Sequence, residues 1–259
     1  MHDLNHLLIC LALILMGGTT CSAIEEAGSA GLATTDEPNN ISLSDITALT
    51  KVGDMIWGAV AGSVVQLNDK GEVLMSSAIP IPISQVAGIA PYAGGAILVG
   101  SPDDNAVYII HPANGCAKEF LDLTKLNASG LLAGDVLTSG SPESLASDGE
   151  FVYVGVKAGF SSSILKIDPV NEKVVAQAWA PGPDPFAMAY DMGSLFVLDG
   201  SSKQLRCFDP EMKLSAGFVG VADENVRGIS ANGAAVQVLS INDTGLQVHS
   251  IDVGELISS

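Results

Sequence analysis

One pattern constrains this chain before any other: a short apolar run ending in a polar residue returns five times at a nearly constant interval. The copies are VVQLN (Val64 to Asn68), VYIIH (Val107 to His111), ILKID (Ile164 to Asp168), LRCFD (Leu205 to Asp209) and VHSID (Val248 to Asp252). Their last residues lie 43, 57, 41 and 43 positions apart, one period broken by one insertion. A β-rich run precedes each copy: GDMIWGAV, GGAILVG, DGEFVYVGV, GSLFVLDG and NGAAVQVLS. Ahead of those sits a shorter, small-residue segment, such as Glu143 to Ala146 or Phe186 to Ala189, closing on DG, MG or NG. Such dipeptides supply the positive φ that tight hairpins need. A further run follows each cap, as in EVLMSSAIP, KVVAQAWAP and LSAGFVGV.

Four antiparallel strands per period of about 40 to 45 residues predict an all-β fold, a five-bladed β-propeller over residues 42–259. The small first strands suit the crowded axis, and the larger apolar residues of strands two and three suit the faces between blades. ELISS, at the end of the chain, reads as the fourth strand of blade five. A β-sandwich is the main alternative, and it gives no reason for one period to persist. Composition agrees: 28 Gly and 12 Pro punctuate a chain that is 47% hydrophobic and 15% charged, which favours many short elements around a large core.

The N-terminus has a separate logic. Leu7 to Met16 is apolar and is followed by small and polar residues, so residues 1–23 read as a signal peptide, too short to span a bilayer. Cys21 gives a competing route, because it directly follows the apolar run and resembles the lipidated cysteine of a bacterial lipoprotein. Residues 24–41 then read as a flexible tether. The protein is expected to be exported: periplasmic, extracellular or lipid-anchored at the surface. Membrane contact is expected only through Cys21.

The formal charge of −18 repels phosphate backbones and anionic lipid, which excludes nucleic acid as a partner. A monomer is expected, facing a protein, a glycan or a small ligand. Cys116 and Cys207 fall in blades two and four, too far apart to bridge, and are expected to be thiols. The extra residues of the second interval, Lys125 to Gly140, lie between blades two and three. His111 and His249 fall on third strands, where the repeat itself accounts for them. The recurring Asp and Asp-Pro caps read as turn-formers, since an Asp side chain accepts from backbone N–H groups just ahead of it. Three N-x-S/T sequons start at Asn40, Asn127 and Asn242.

Binding loops in such an architecture are those between strands two and three and those between blades. Here they carry Asp103, Asp104, Asp184, Asp199, Lys203 and Asp243. A solvated acidic surface is the simpler reading of the five aspartates. No cofactor is expected, with a calcium ion as the one alternative such oxygen-rich loops allow. No nucleophile elbow, H-E-x-x-H or phosphate loop occurs, so no catalytic residue is assigned.

The stretches PESLASDGEFVYVGVKAGFSSSILKIDPVNEKVV and MAYDMGSLFVLDGSSKQLRCFDPE resemble blades of exported bacterial or archaeal propeller repeat proteins of the YVTN and quinoprotein-like type. GFSSSILKID and LFVLDGSSKQLRCFDPE are also similar to the five-bladed glutamine cyclotransferases. The latter resemblance implies a carboxylate on the strand beginning FVYVG and tryptophan-rich turns in later blades. Val152, Tyr153 and Val154 stand at the first place, and PGPDPF is the turn before blade four. The leading expectation is therefore a non-enzymatic binding module with a loop-rich acidic face. The alternative is a propeller enzyme of glutamine cyclotransferase-like or metal-dependent lactonase-like type.

Overall fold

The computed structural model describes residues 41–79, 85–113, 115–126, 140–158, 161–233 and 235–254. The leader, Cys21, nearly all of the tether, ELISS, Asn40, Asn127 and most of the 125–140 insertion lie outside the described residues.

The described chain forms five antiparallel sheets, each a simple meander. Blade one holds β1 (Ala48–Val52), β2 (Met55–Val60), β3 (Ser63–Leu67) and β4 (Val73–Ala78). Blade two holds β5 (Gly88–Pro91), β6 (Ile97–Ser101), β7 (Ala106–His111) and β8 (Cys116–Asp122). In blade three come β9 (Ser141–Ser147), β10 (Val152–Ala158), β11 (Ser161–Asp168) and β12 (Lys173–Trp179). Blade four follows with β13 (Pro185–Asp191), β14 (Ser194–Asp199), β15 (Gln204–Phe208) and β16 (Leu214–Gly220). Blade five has three strands among the described residues: β17 (Val226–Asn232), β18 (Ala235–Asn242) and β19 (Gly245–Asp252). The fold is the five-bladed propeller that the period predicts.

The repeated caps do what their chemistry dictates. The Oδ1 atom of Asn68 accepts from the N–H groups of Lys70 and Glu72, both at 2.9 Å. Asp168 accepts from Val170 and Asn171 at 2.9 and 3.0 Å, Asp209 from Lys213 at 2.8 Å and Asp252 from Gly254 at 2.8 Å. Each bond turns the chain out of a third strand, and in blades one, three and four that turn leads into the fourth.

Five apolar layers, one per junction, hold the blades together. The layer closing the ring packs Ile46, Leu49, Ile56, Val65 and Leu67 of blade one and its entry segment against Leu239, Ile241 and Leu246 of blade five. Burying each such side chain contributes about 1.5–3 kcal/mol. At the axis β1 touches β5 and β17, and β9 and β13 complete the circle. The innermost strands approach so closely that a Cβ on Gly228 of β17 would overlap the carbonyl oxygen of Leu49 in β1. Cys116 in β8 and Cys207 in β15 are thiols, not a disulfide. Among the described residues, no helix is long and apolar enough to cross a membrane.

Candidate functional site at the channel mouth

In a four-stranded meander the start of strand one, the strand two–three turn and the end of strand four share one end of the blade. The first strands of blades three, four and five carry an irregularity at that end. In β9 the pairing with β10 skips Glu143, since Gly155 opposes Ser144 and Val156 opposes Pro142. Phe186 is skipped likewise between Pro185 and Ala187, which pair with Asp199 and Leu198. Arg227 is skipped between Val226 and Gly228, opposite Ser240 and Leu239. A bulge adds one residue to one strand and re-aims its side chain. Three consecutive blades thus turn out an acid, an aromatic ring and a base at corresponding places.

Phe186 and Arg227 line the narrow channel along the axis, together with Ala48, Gly88 and Ser144. The free space between these strands is about 10 Å³, room for a single water. The Ser144 hydroxyl donates to the Pro185 carbonyl at 2.5 Å, stitching the strand of Glu143 to the strand of Phe186. Arg227 is half-buried, and among the described residues its one hydrogen-bond acceptor is the Val226 carbonyl at 3.5 Å. Among the described residues, most of its fork of donors has no protein partner and is left to solvent.

Glu143 is half-buried and accepts from the Ser141 hydroxyl at 3.2 Å. Burial pushes its carboxyl above the ordinary 4.5, partly offset by the Ser141 hydrogen bond and the Lys157 charge, with Asp184 adding to the rise. Lys157 pairs with Asp184 at 3.6 Å, both side chains partly solvated, so the pair adds little stability. Lys203, held at φ 57°, lies 6.0 Å from the centre of the Phe186 ring.

The residues expected from the sequence separate into different roles. Asp184 and Lys203 stand beside the mouth. Asp199 is fully buried and accepts from the N–H groups of Asp184 at 2.9 Å and Ser202 at 2.8 Å. It anchors the crossover from blade three to blade four, and a Cβ on Gly182 would strike its carboxylate. Asp104 accepts from Ser101 and Tyr108 hydroxyls, both at 3.0 Å. Burial, with that bond and charge, holds the Tyr108 phenol up at about 12. Asp103 and Asp243 are exposed turn residues of blades two and five. Among the described residues, no group of three or more His, Cys, Asp or Glu side chains is placed to hold a metal ion.

Glu143 and Arg227 are the residues that reading by type passed over. A usable signal existed, because both put a charge into a first strand otherwise made of small or apolar residues. The raised Glu143 carboxyl has a measurable sign. Its proton is held more tightly in the folded than in the unfolded chain, so this contribution to stability is full below about 4.5 and is lost as pH rises through the raised value. Thermal unfolding of E143Q should therefore gain on the parent protein as pH climbs through that window; a constant difference would refute it.

No family model matches the chain, and no curated protein matches it. Solved structures do. One of the nidogen–laminin complex aligns with a TM-score of 0.54 at 12% identity, covering 79% of this chain and 75% of that one. The Pan2 WD40 domain of Neurospora crassa gives 0.49 at 14% identity, with 81% of this chain covered; the chain spans 63% of that domain's length. Glutaminyl cyclase of Myxococcus xanthus gives 0.42 at 16%, covering 66% of this chain and 67% of the cyclase. At these identities the likeness is one of fold.

Proposed function

We propose that the protein is an exported, non-enzymatic binding module that seats a protein, glycan or small ligand on the loop-rich face, at the channel mouth. The observation that carries this reading is the set of bulged residues Glu143, Phe186 and Arg227. A bulge in one blade is ordinary; three in register, bearing different chemistry, make a recognition surface. The half-buried guanidinium with most donors unused supports it, since a ligand would supply the missing acceptors.

Ligands captured from glycan and peptide arrays should lose at least tenfold in affinity on Arg227→Ala. Lys173→Ala, at the far end of blade three, should leave affinity unchanged. If the strongest ligands bind the Arg227 variant and the parent equally, the mouth is not the site.

Glu143 favours one second reading, a propeller enzyme in which its raised carboxyl accepts a proton. Turnover of any captured ligand, abolished by E143Q, would replace the binding module with that enzyme.

A further inference from the structure

We propose that the channel mouth recognises a small zwitterion, its carboxylate on Arg227, its ammonium at Glu143 and its apolar body against Phe186. This deepens the channel-mouth reading and rests on it. The three side chains come from corresponding bulges of consecutive blades, so the acid and the base stand on either side of the aromatic ring. A half-buried arginine fork with most donors free is matched best by a planar, bidentate carboxylate. An ammonium is complementary to a half-buried carboxylate that, among the described residues, has one hydroxyl donor and whose neighbour Lys157 is already paired with Asp184. The apolar segment between the two charges would cover the half-buried ring of Phe186.

Net charge decides between a zwitterion and a simple anion. At −18 the protein repels a free anion, and Asp184 and Asp223 stand in the crossovers that flank the mouth. A cation would suffer the opposite fault, meeting Arg227 and Lys203 beside the ring. A ligand that is neutral overall yet carries both groups avoids both penalties. The space between the first strands admits no more than a water, so the ligand lies on the rim across blades three to five rather than in the channel.

The test is a calorimetric titration of the purified protein with glycine, 4-aminobutyrate and 6-aminohexanoate, which carry the same two charges at increasing separation. Each is paired with its amide and its N-acetyl derivative. One member should bind at least tenfold more tightly than both of its derivatives. Arg227→Lys, which keeps the charge and removes the fork, should abolish the preference for acid over amide. E143Q should abolish the preference for amine over N-acetyl, and thermal unfolding of both variants checks that they fold. Equal binding of acid and derivatives, or no heat from any member at 10 mM ligand (about −2.7 kcal/mol at that Kd), overturns the zwitterion. If array ligands remain sensitive to Arg227→Ala in that case, the channel-mouth reading stands without it; if they do not, both fall together.

Discussion

Gly228→Ala should destabilise the protein by about 3 kcal/mol or more, at or beyond the upper end of ordinary overpacking. Gly228 lies in β17, the innermost strand of the last blade, and its missing side chain is where the Leu49 carbonyl of β1 enters. The obstacle is backbone, so no rotamer change relieves it. β17 and β1 would have to part, and with them the junction where blade five meets blade one. That junction holds Leu49, Leu239, Ile241 and Leu246, so opening it exposes apolar surface as well as straining the ring. The control is Gly220→Ala in β16, where a Cβ would meet nothing within 4 Å. For a domain of this size the first variant should lower Tm by roughly 6–12 °C, at about 2–4 °C per kcal/mol, and the second by less than about 2 °C. Equal melting of the two would mean that the innermost strands are not in close contact at the axis.

Asp199→Ala should cost about 3 kcal/mol for a different reason. Its carboxylate is out of contact with solvent and closes two backbone donors, those of Asp184 and Ser202. A hydrogen bond to a charged acceptor contributes about 1.5–3 kcal/mol, and an abandoned buried donor costs about 1–3 kcal/mol. Asp199→Asn keeps an acceptor of nearly the same shape and should lose about half as much. The loss should appear in chemical denaturation as a lower midpoint at unchanged m-value. Because the crossover also carries Asp184 and leads into Phe186, ligand affinity should fall in the same variant. A change below about 0.5 kcal/mol would show that the crossover does not depend on this carboxylate.

These two residues show where sequence reasoning stops. Asp199 and Asp103 look alike in the chain, each at the tip of a strand two–three hairpin. One is sealed under a crossover and the other is solvated, and that difference arises because Pro181 to Asp184 fold back over the blade-four hairpin. The candidate site escaped for a related reason. A bulge is a relation between two strands, so Glu143, Phe186 and Arg227 are unremarkable until the pairing of β9, β13 and β17 with their neighbours is known. Asp184 and Lys203, by contrast, were legible, because loop position follows directly from the repeat.

What the chain determined alone is the part that repeats. Cap residues recur because each third strand must turn out through a short segment whose N–H groups need an acceptor, and small first strands recur because five of them converge on one axis. Periodic requirements leave periodic residues, and those can be counted without coordinates. The tertiary structure decided what does not repeat: which aspartate is buried, which glycine stands against a backbone carbonyl, and which side chains the first-strand bulges carry. Each of those depends on which strand or crossover is laid against the residue, from the Asp184 crossover over Asp199 to blade one against Gly228, and no local pattern records that partner.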